Sequence, residues 1–460
     1  MGLMRTLLAL ACLVVLFAVG AFFRAGRAAG PAIEVVQPAA LLGQSGTLEV
    51  TVTTPGGAVD RLDILLRQGG REFPLFALPG TDEARLEQTG EDTVRVTRPV
   101  GRRVTPELAA GEAAIVVRAA RPVLFGLRSA ATEHVHEIAV RLDPPRVAVL
   151  STFHFVNHGG SEVVVYRATP DDVVSGVRVG DREYPGFPAA GAGITGDPAL
   201  RVAFFGLLWD QELDSPIAVF ARDAAGNESR AAVDARVFPK PFRKSTIALD
   251  DRFLSRVVPA ILDHSPDFRV DDAGDLLASY LEINGRMRRE NNAFIEGLAA
   301  GTSPDVLWRE PFRQLGSSKV EASFADQRTY TYQGREVDQQ VHLGFDLAVT
   351  AAVPILAANR GRVVFADFLG IYGNCVVVDH GMGVQSLYAH LSSIGVGVGD
   401  VVERDDVLGR SGMTGLAGGD HLHFTMLVGG QPVTPVDWWS RQWIEDRILR
   451  KFREAGVPGV

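Results

Sequence analysis

Short segments of alternating apolar and polar residues, broken by Gly or Pro, run through most of this chain and constrain its fold more than any other feature. Thr47–Thr53, Val94–Thr97 and Ala113–Arg118 each turn one face toward a core and the other toward water. Between them fall turn signals at the spacing of a β-sandwich, supplied by 49 Gly and 25 Pro spread along 460 residues. One hydrophobic core does not organise a chain of this length, and at roughly 150 residues per domain about three domains are expected. The expected fold class is mostly β and multidomain.

Composition shifts place the boundaries. An apolar N-terminal segment occupies 1–29, and a first β-sandwich is expected over 30–143, ending at Asp143-Pro144-Pro145. Strand signals resume in Arg146–Leu150, Ser161–Tyr166 and Ile217–Arg222, which suggests a second, immunoglobulin-like sandwich over 144–243. The period then changes. Leu249, Phe253 and Val257, and later Leu276, Leu277, Tyr280 and Leu281, recur at helical spacing, with Asp250 or Asp271 available as caps. A connector of two or three short helices is expected over 244–317, interrupted at Pro259 and at Ser265-Pro266. Gly-punctuated strands follow over 318–440, and an amphipathic helix over 441–460.

The N-terminus fixes the compartment. Leu7 to Phe23 is an unbroken apolar run of about 17 residues, flanked by Arg5 on one side and Arg24 and Arg27 on the other. As a helix it rises about 26 Å, near the lower limit for spanning a bilayer and longer than a signal-peptide core. A retained single-pass transmembrane anchor is expected, with the body on the extracytoplasmic side; the rival is a signal peptide cut near Ala28-Ala29-Gly30. The net charge of -9, without a basic run, excludes nucleic acid as a partner. Only Cys12 and Cys375 are present, so the folded body has no internal disulfide, and Cys375 reads as a small buried strand residue.

Five of the ten histidines lie between Val341 and Phe424, and four of them combine with one aspartate as His342-x-x-x-Asp346, His390 and His421-x-His423. Residues an even number apart on a strand share a face, so each pair points one way. Zinc favours imidazole nitrogen and carboxylate oxygen, and a catalytic site uses three protein ligands. Five candidate groups exceed that need by two, and surplus imidazoles can move protons.

HLGFDLA from His342, GNCVVVDHG from Gly373, LYAHLS from Leu387 and GRSGMTGLAGGDHLHF ending at Phe424 together resemble the lysostaphin-type (LytM-like) peptidoglycan endopeptidases. The resemblance extends over about 120 residues, with motif order intact, and includes Gly361–Val364 and Pro432–Pro435. It implies one zinc ion per chain held by His342, Asp346 and His423, with His390 and His421 as the two catalytic histidines that bind no metal. It further implies a LytM-like zinc peptidase domain at 318–440, acting on peptide cross-links or stem peptides of peptidoglycan. Asp420 stands where that family commonly has Pro. The alternative reading is a catalytically silent regulator or scaffold that activates another cell-wall hydrolase. In either case the sandwiches are the expected surfaces for cell-wall protein partners, and the connector or a sandwich is expected to cover part of the active-site groove. The remaining histidines read as structural. His134 and His136 are expected to face solvent, His154, His158 and His264 to lie on the surface, and His380 to occupy a turn or support the site.

Overall fold

The computed structural model describes residues 2–54, 58–78 and 84–456. The chain is mostly β and divides into two compact units: Met1–Pro145 with Arg222–Ser229, and Arg146–Ala221 with Arg230–Val460.

The first unit opens with helix α1 (Gly2–Ala25), apolar enough from Met4 to Ala25 to cross a membrane by length and composition. Two sheets follow. One orders Ala32–Gln37, Gly46–Thr53, Thr93–Val100 and Arg85–Gly90; the other orders Leu41–Leu42, Arg128–Val140, Gly111–Val123, Arg61–Gln68 and Arg71–Ala77. Alternation does what it dictates: Leu48, Val50 and Val52 from one sheet and Leu62, Ile64 and Leu66 from the other close one core. His134 and His136 are half-buried here instead of solvent-facing, because the His136 ring reaches back to the Pro38 and Ala39 carbonyls at 3.0 and 2.9 Å. The Asp223–Asn227 turn is held by the Asp223 carboxylate, which accepts from the backbone N–H groups of Ala225 and Asn227.

In the second unit a smaller set of strands, Ser161–Thr169 and Leu200–Gly206 among them, shares a continuous core with an eight-stranded antiparallel sheet. That sheet orders Lys319–Ala322, Phe345–Ala348, His421–Val428, Val384–Leu391, Asn374–Gly381, Gly361–Phe368 and Val401–Val402, with Gln431–Val433 also on the His421–Val428 strand. Its two faces have different partners. Val376, Val378, Tyr388 and Met426 join the core of the smaller strands, whereas Cys375, Val377, Leu387 and Leu427 pack against helices.

Those helices are α2 (Asp251–Asp263), α3 (Leu276–Glu282) and α4 (Arg288–Leu298), the last two joined through a π-helical turn at Ile283–Met287. Asp250 caps α2 by accepting from the Phe253 N–H, and Asp275, not Asp271, caps α3. Two expectations fail here. The segment from Lys244 opens on a strand, Lys244–Leu249, that pairs in parallel with Asp326–Tyr332. Pro259 does not interrupt α2, because it and Ser255, four residues before it, are both exposed, and water can satisfy the carbonyl the ring leaves without a donor.

The C-terminal helical segment, Arg441–Ala455 with a π-helical middle, carries buried charge into the smaller strands; residues 457–460 lie outside the described residues. Lys451 Nζ donates to Glu162 Oε1 at 2.8 Å with both side chains enclosed, and the Trp438 indole N–H donates to Ser161 Oγ. His154, expected on the surface, is buried between Ser151 and the Asp234 carbonyl, and burial pushes its pKa down to about 4. Asp437 accepts from Asn157 through Oδ1, while its buried Oδ2 has no partner. Burial raises its carboxyl to about 6.

Because that pKa is raised on folding, Asp437 contributes stability that is complete below the ordinary carboxylate range and lost as pH climbs to about 6. Asp437→Asn removes the titration and keeps the Asn157 bond. At pH 7 the variant should exceed the parent in stability by up to about 3 kcal/mol, the gap closing toward pH 4. Denaturant unfolding followed by Trp fluorescence reads this, since all five Trp lie in the second unit; the opposite titration of His154 is common to both proteins and cancels. A gap independent of pH contradicts the assignment.

Candidate metal centre

Strand register builds the site. Asp346 sits directly opposite His423, and His423 is opposite Ala389 on its other side, next to His390. His342 ends the Arg335–His342 strand, one tight connection before Phe345–Ala348. Gly344, in that connection, is required by close approach: a Cβ there would lie 2.6 Å from the His423 ring and 2.5 Å from Thr425 Oγ1.

Three donor atoms converge. His342 Nε2 is 2.9 Å from Asp346 Oδ1 and 3.0 Å from His423 Nδ1, and His423 Nδ1 is 3.1 Å from Asp346 Oδ1. Among the described residues these three side chains form the one group able to hold a metal ion, their ligand atoms lying within 4.8 Å of one another. Each ligand's remaining polar atom is occupied. His342 Nδ1 donates to the Ser323 carbonyl, His423 Nε2 faces the Thr425 hydroxyl at 3.1 Å, and Arg328 Nη2 donates to Asp346 Oδ2 at 2.9 Å. These outer partners orient the rings so that Nε2 of His342 and Nδ1 of His423 point at one spot, and two imidazole nitrogens with one carboxylate oxygen suit zinc.

His390 and His421 stand beside this group, with ring centroids 4.8 Å apart. A carbonyl oxygen only accepts, so each ring must donate its Nδ1–H, His390 to Thr414 and His421 to Gly419, both at 2.8 Å. Nε2 of each is thereby left for the cavity, that of His421 at 3.5 Å from Asp346 Oδ1. His390 holds a left-handed backbone at φ 62°, a strained conformation for a residue with a side chain.

The electrostatics follow from enclosure. Burial alone would raise the Asp346 carboxyl, but the charge of His342 and the hydrogen bonds of His342, His421 and His423 outweigh it and hold the group well below its usual range. Burial, then the like charge of His421 and His423, keeps His390 well below the ordinary imidazole value. His421 is desolvated too, yet its bond to Asp346 raises it.

His423 and Thr425 share the parity of Leu427, so the site opens on the face of the sheet that meets the helices. A cavity of about 400 Å³ results, with His342, Asp346, His390, His421 and His423 on one wall and Phe253, Tyr280, Arg288 and the Lys244–Leu249 strand on the other. The connector therefore lines the groove. Arg328, Thr414, Tyr372 and Thr425 surround the cluster without having been singled out in the sequence. Of these Arg328 left a trace, a lone cation alternating with Asp326 and Tyr330 along one strand.

Other residues fall elsewhere. His380 is a fully buried strand residue, bonded to the Arg360 carbonyl and Ser386 Oγ, and not part of a turn. Cys375 is buried in the same strand. Asp420 accepts from the Ala352 N–H at 3.2 Å at the rim of the site.

Residues 340–435 match the model of Peptidase family M23. Over 97 residues the chain is 40% identical to the DD-carboxypeptidase/endopeptidase Mpg of Neisseria meningitidis, covering 21% of this chain and 22% of that protein. It is 31% identical over 199 residues to the peptidoglycan DD-endopeptidase ShyB of Vibrio cholerae, 39% of this chain and 46% of that one. The chain thus spans between about a fifth and about half the length of these curated relatives. The catalytic domain of lysostaphin from Staphylococcus simulans aligns with 26% identity and a TM-score of 0.23, over 26% of this chain and 92% of that one. The family match encloses His342, Asp346, His390, His421 and His423, and residues 340–435 of this chain are a domain of Peptidase family M23.

Proposed function

We propose that this chain is a zinc metalloendopeptidase that hydrolyses peptide bonds of bacterial peptidoglycan, held by α1 in the cytoplasmic membrane with its body on the extracytoplasmic side. One observation carries the reading. His342 Nε2, Asp346 Oδ1 and His423 Nδ1 meet beside two imidazoles that keep Nε2 for the cavity. A structural zinc site closes its shell with four protein ligands, whereas three ligands with spare bases beside them suit hydrolysis. Relatives named as peptidoglycan DD-endopeptidases support the substrate class.

Zinc held by His342, Asp346 and His423 would supply Lewis acidity, polarising the scissile carbonyl and lowering the pKa of a water. The protein's own groups do the remainder. Neutral His390, its Nδ1–H fixed on Thr414, and His421, fixed on Gly419, orient the attacking water, take its proton and return one to the leaving amine. Arg328 keeps Asp346 aimed. Phe253 and Tyr280 form an apolar part of the wall facing these groups.

Replacing His342, Asp346 or His423 by Ala should abolish zinc binding and cleavage together, because two ligands make an incomplete shell. His390→Ala and His421→Ala should keep zinc while cleavage falls by on the order of 10²–10⁴-fold. Zinc per chain and cleavage rate on all five variants, with circular dichroism as the control for folding, read the division of labour. Loss of zinc from His390→Ala or His421→Ala as complete as from His342→Ala would contradict it.

The anchor has its own test. The full-length chain should sediment with membranes and resist extraction by high salt, since the attachment is apolar. A mature N-terminus near Ala29 or Gly30 would show a cleaved signal peptide instead.

A further inference from the structure

The longest hairpin of the first unit runs Gly111–Val123 against Arg128–Val140, and its tip is Leu124-Phe125-Gly126-Leu127. Phe125 is 102% exposed and Leu127 75%. A tight hairpin loop favours Gly, Asn or Asp, the more so where the backbone is left-handed. Here Leu124 and Phe125 occupy left-handed positions, at φ 52° and 55°. Leu124 is half-buried, but Phe125 and Leu127 stand in the open where small polar residues would be easier to accommodate, and exposed apolar groups in such a setting mark a binding surface.

The position of the tip identifies what it meets. Arg128 lies over the Phe22 ring at 4.4 Å and donates from Nη1 to the Phe22 carbonyl, while Arg121 Nε donates to the Ala29 carbonyl. Going from Gly30, which abuts Thr132, to Phe22, which abuts Arg128, the chain climbs the hairpin toward its tip. The tip therefore projects past Phe22 on the side of the apolar interior of α1. Arg128 and Arg121 hold the stretch from Phe22 to Ala29, which itself carries Arg24 and Arg27, so cations flank the hairpin below its tip. Apolar side chains beyond a collar of cations match the boundary between acyl chains and anionic headgroups.

We propose that the Leu124–Leu127 tip enters the bilayer beside α1, so that the first sandwich is seated on the membrane at two points. This rests on α1 lying in the membrane. Two insertions fix an orientation that a single tether leaves free.

The test uses full-length Cys12→Ser protein in bilayers of phosphatidylethanolamine and phosphatidylglycerol, with one nitroxide at a time on Leu16→Cys, Phe125→Cys, Leu127→Cys or Glu112→Cys. Native Cys375 is buried and stays unlabelled. Collision with dissolved oxygen reports lipid, and collision with a water-soluble nickel chelate reports solvent. Labels at 125 and 127 should report lipid as that at 16 does, at a shallower depth, with an oxygen-to-nickel ratio several-fold above that at 112, which sits at the opposite end of the hairpin. A label at 16 in lipid with those at 125 and 127 as wet as 112 overturns the second insertion and leaves the anchor standing. A label at 16 in water overturns the membrane reading of α1 and this inference with it.

Discussion

One antiparallel register carries the functional part of this molecule: Asp346 opposite His423, and His423 opposite Ala389 beside His390. Side chains alternate across a sheet, so sliding the Phe345–Ala348 or His421–Val428 strand by one residue would turn Asp346, or His421 and His423, to the far face, into the core shared with the smaller strands, while His390 owes its facing to an irregularity in its pairing and its left-handed backbone. The apolar residues interleaved with them hold the register. Leu422, Phe424 and Met426 belong to the opposite face and cannot exchange sides with His421, His423 and Thr425 without burying imidazoles among valines.

What the register places, outer contacts aim. Each ring must present one particular nitrogen, and backbone carbonyls of Ser323, Thr414 and Gly419 decide which. Arg328 performs the same service for the carboxylate. The cluster is buried under helices whose own core includes Cys375, Val377 and Leu387 from the sheet, so the wall of the cavity and the floor of the site are packed as one layer pair. Burial, then the like charge of His421 and His423, holds His390 below the ordinary imidazole value.

The cluster was legible because its residues announce themselves locally. His421-x-His423 in an alternating segment shares a face whatever the strand packs against, and the motifs around His342 and His390 carry a family resemblance. Features that depend on distant partners left no such mark. Lys244–Leu249 becomes a strand only because Asp326–Tyr332, some eighty residues on, accepts it in parallel. His154 looks like a loop residue until the Asp234 carbonyl, also about eighty residues away, closes over it. Pro259 breaks a helix by local rules, yet with both it and Ser255 exposed, a water-facing carbonyl makes it tolerable. The buried Lys451–Glu162 pair joins residues 289 apart, and nothing near either one signals it.

The central claim is that a metal-dependent peptidase acts on the peptides of the cell wall, and one digestion tests it. Purified full-length chain in detergent is incubated with peptidoglycan sacculi, and the released fragments are identified by mass spectrometry, with and without a chelator and then with zinc restored. The account predicts fragments bearing newly freed amino and carboxyl ends within cross-links or stem peptides, absent under the chelator and recovered with zinc. Intact peptides, or cleavage indifferent to the chelator, would contradict it.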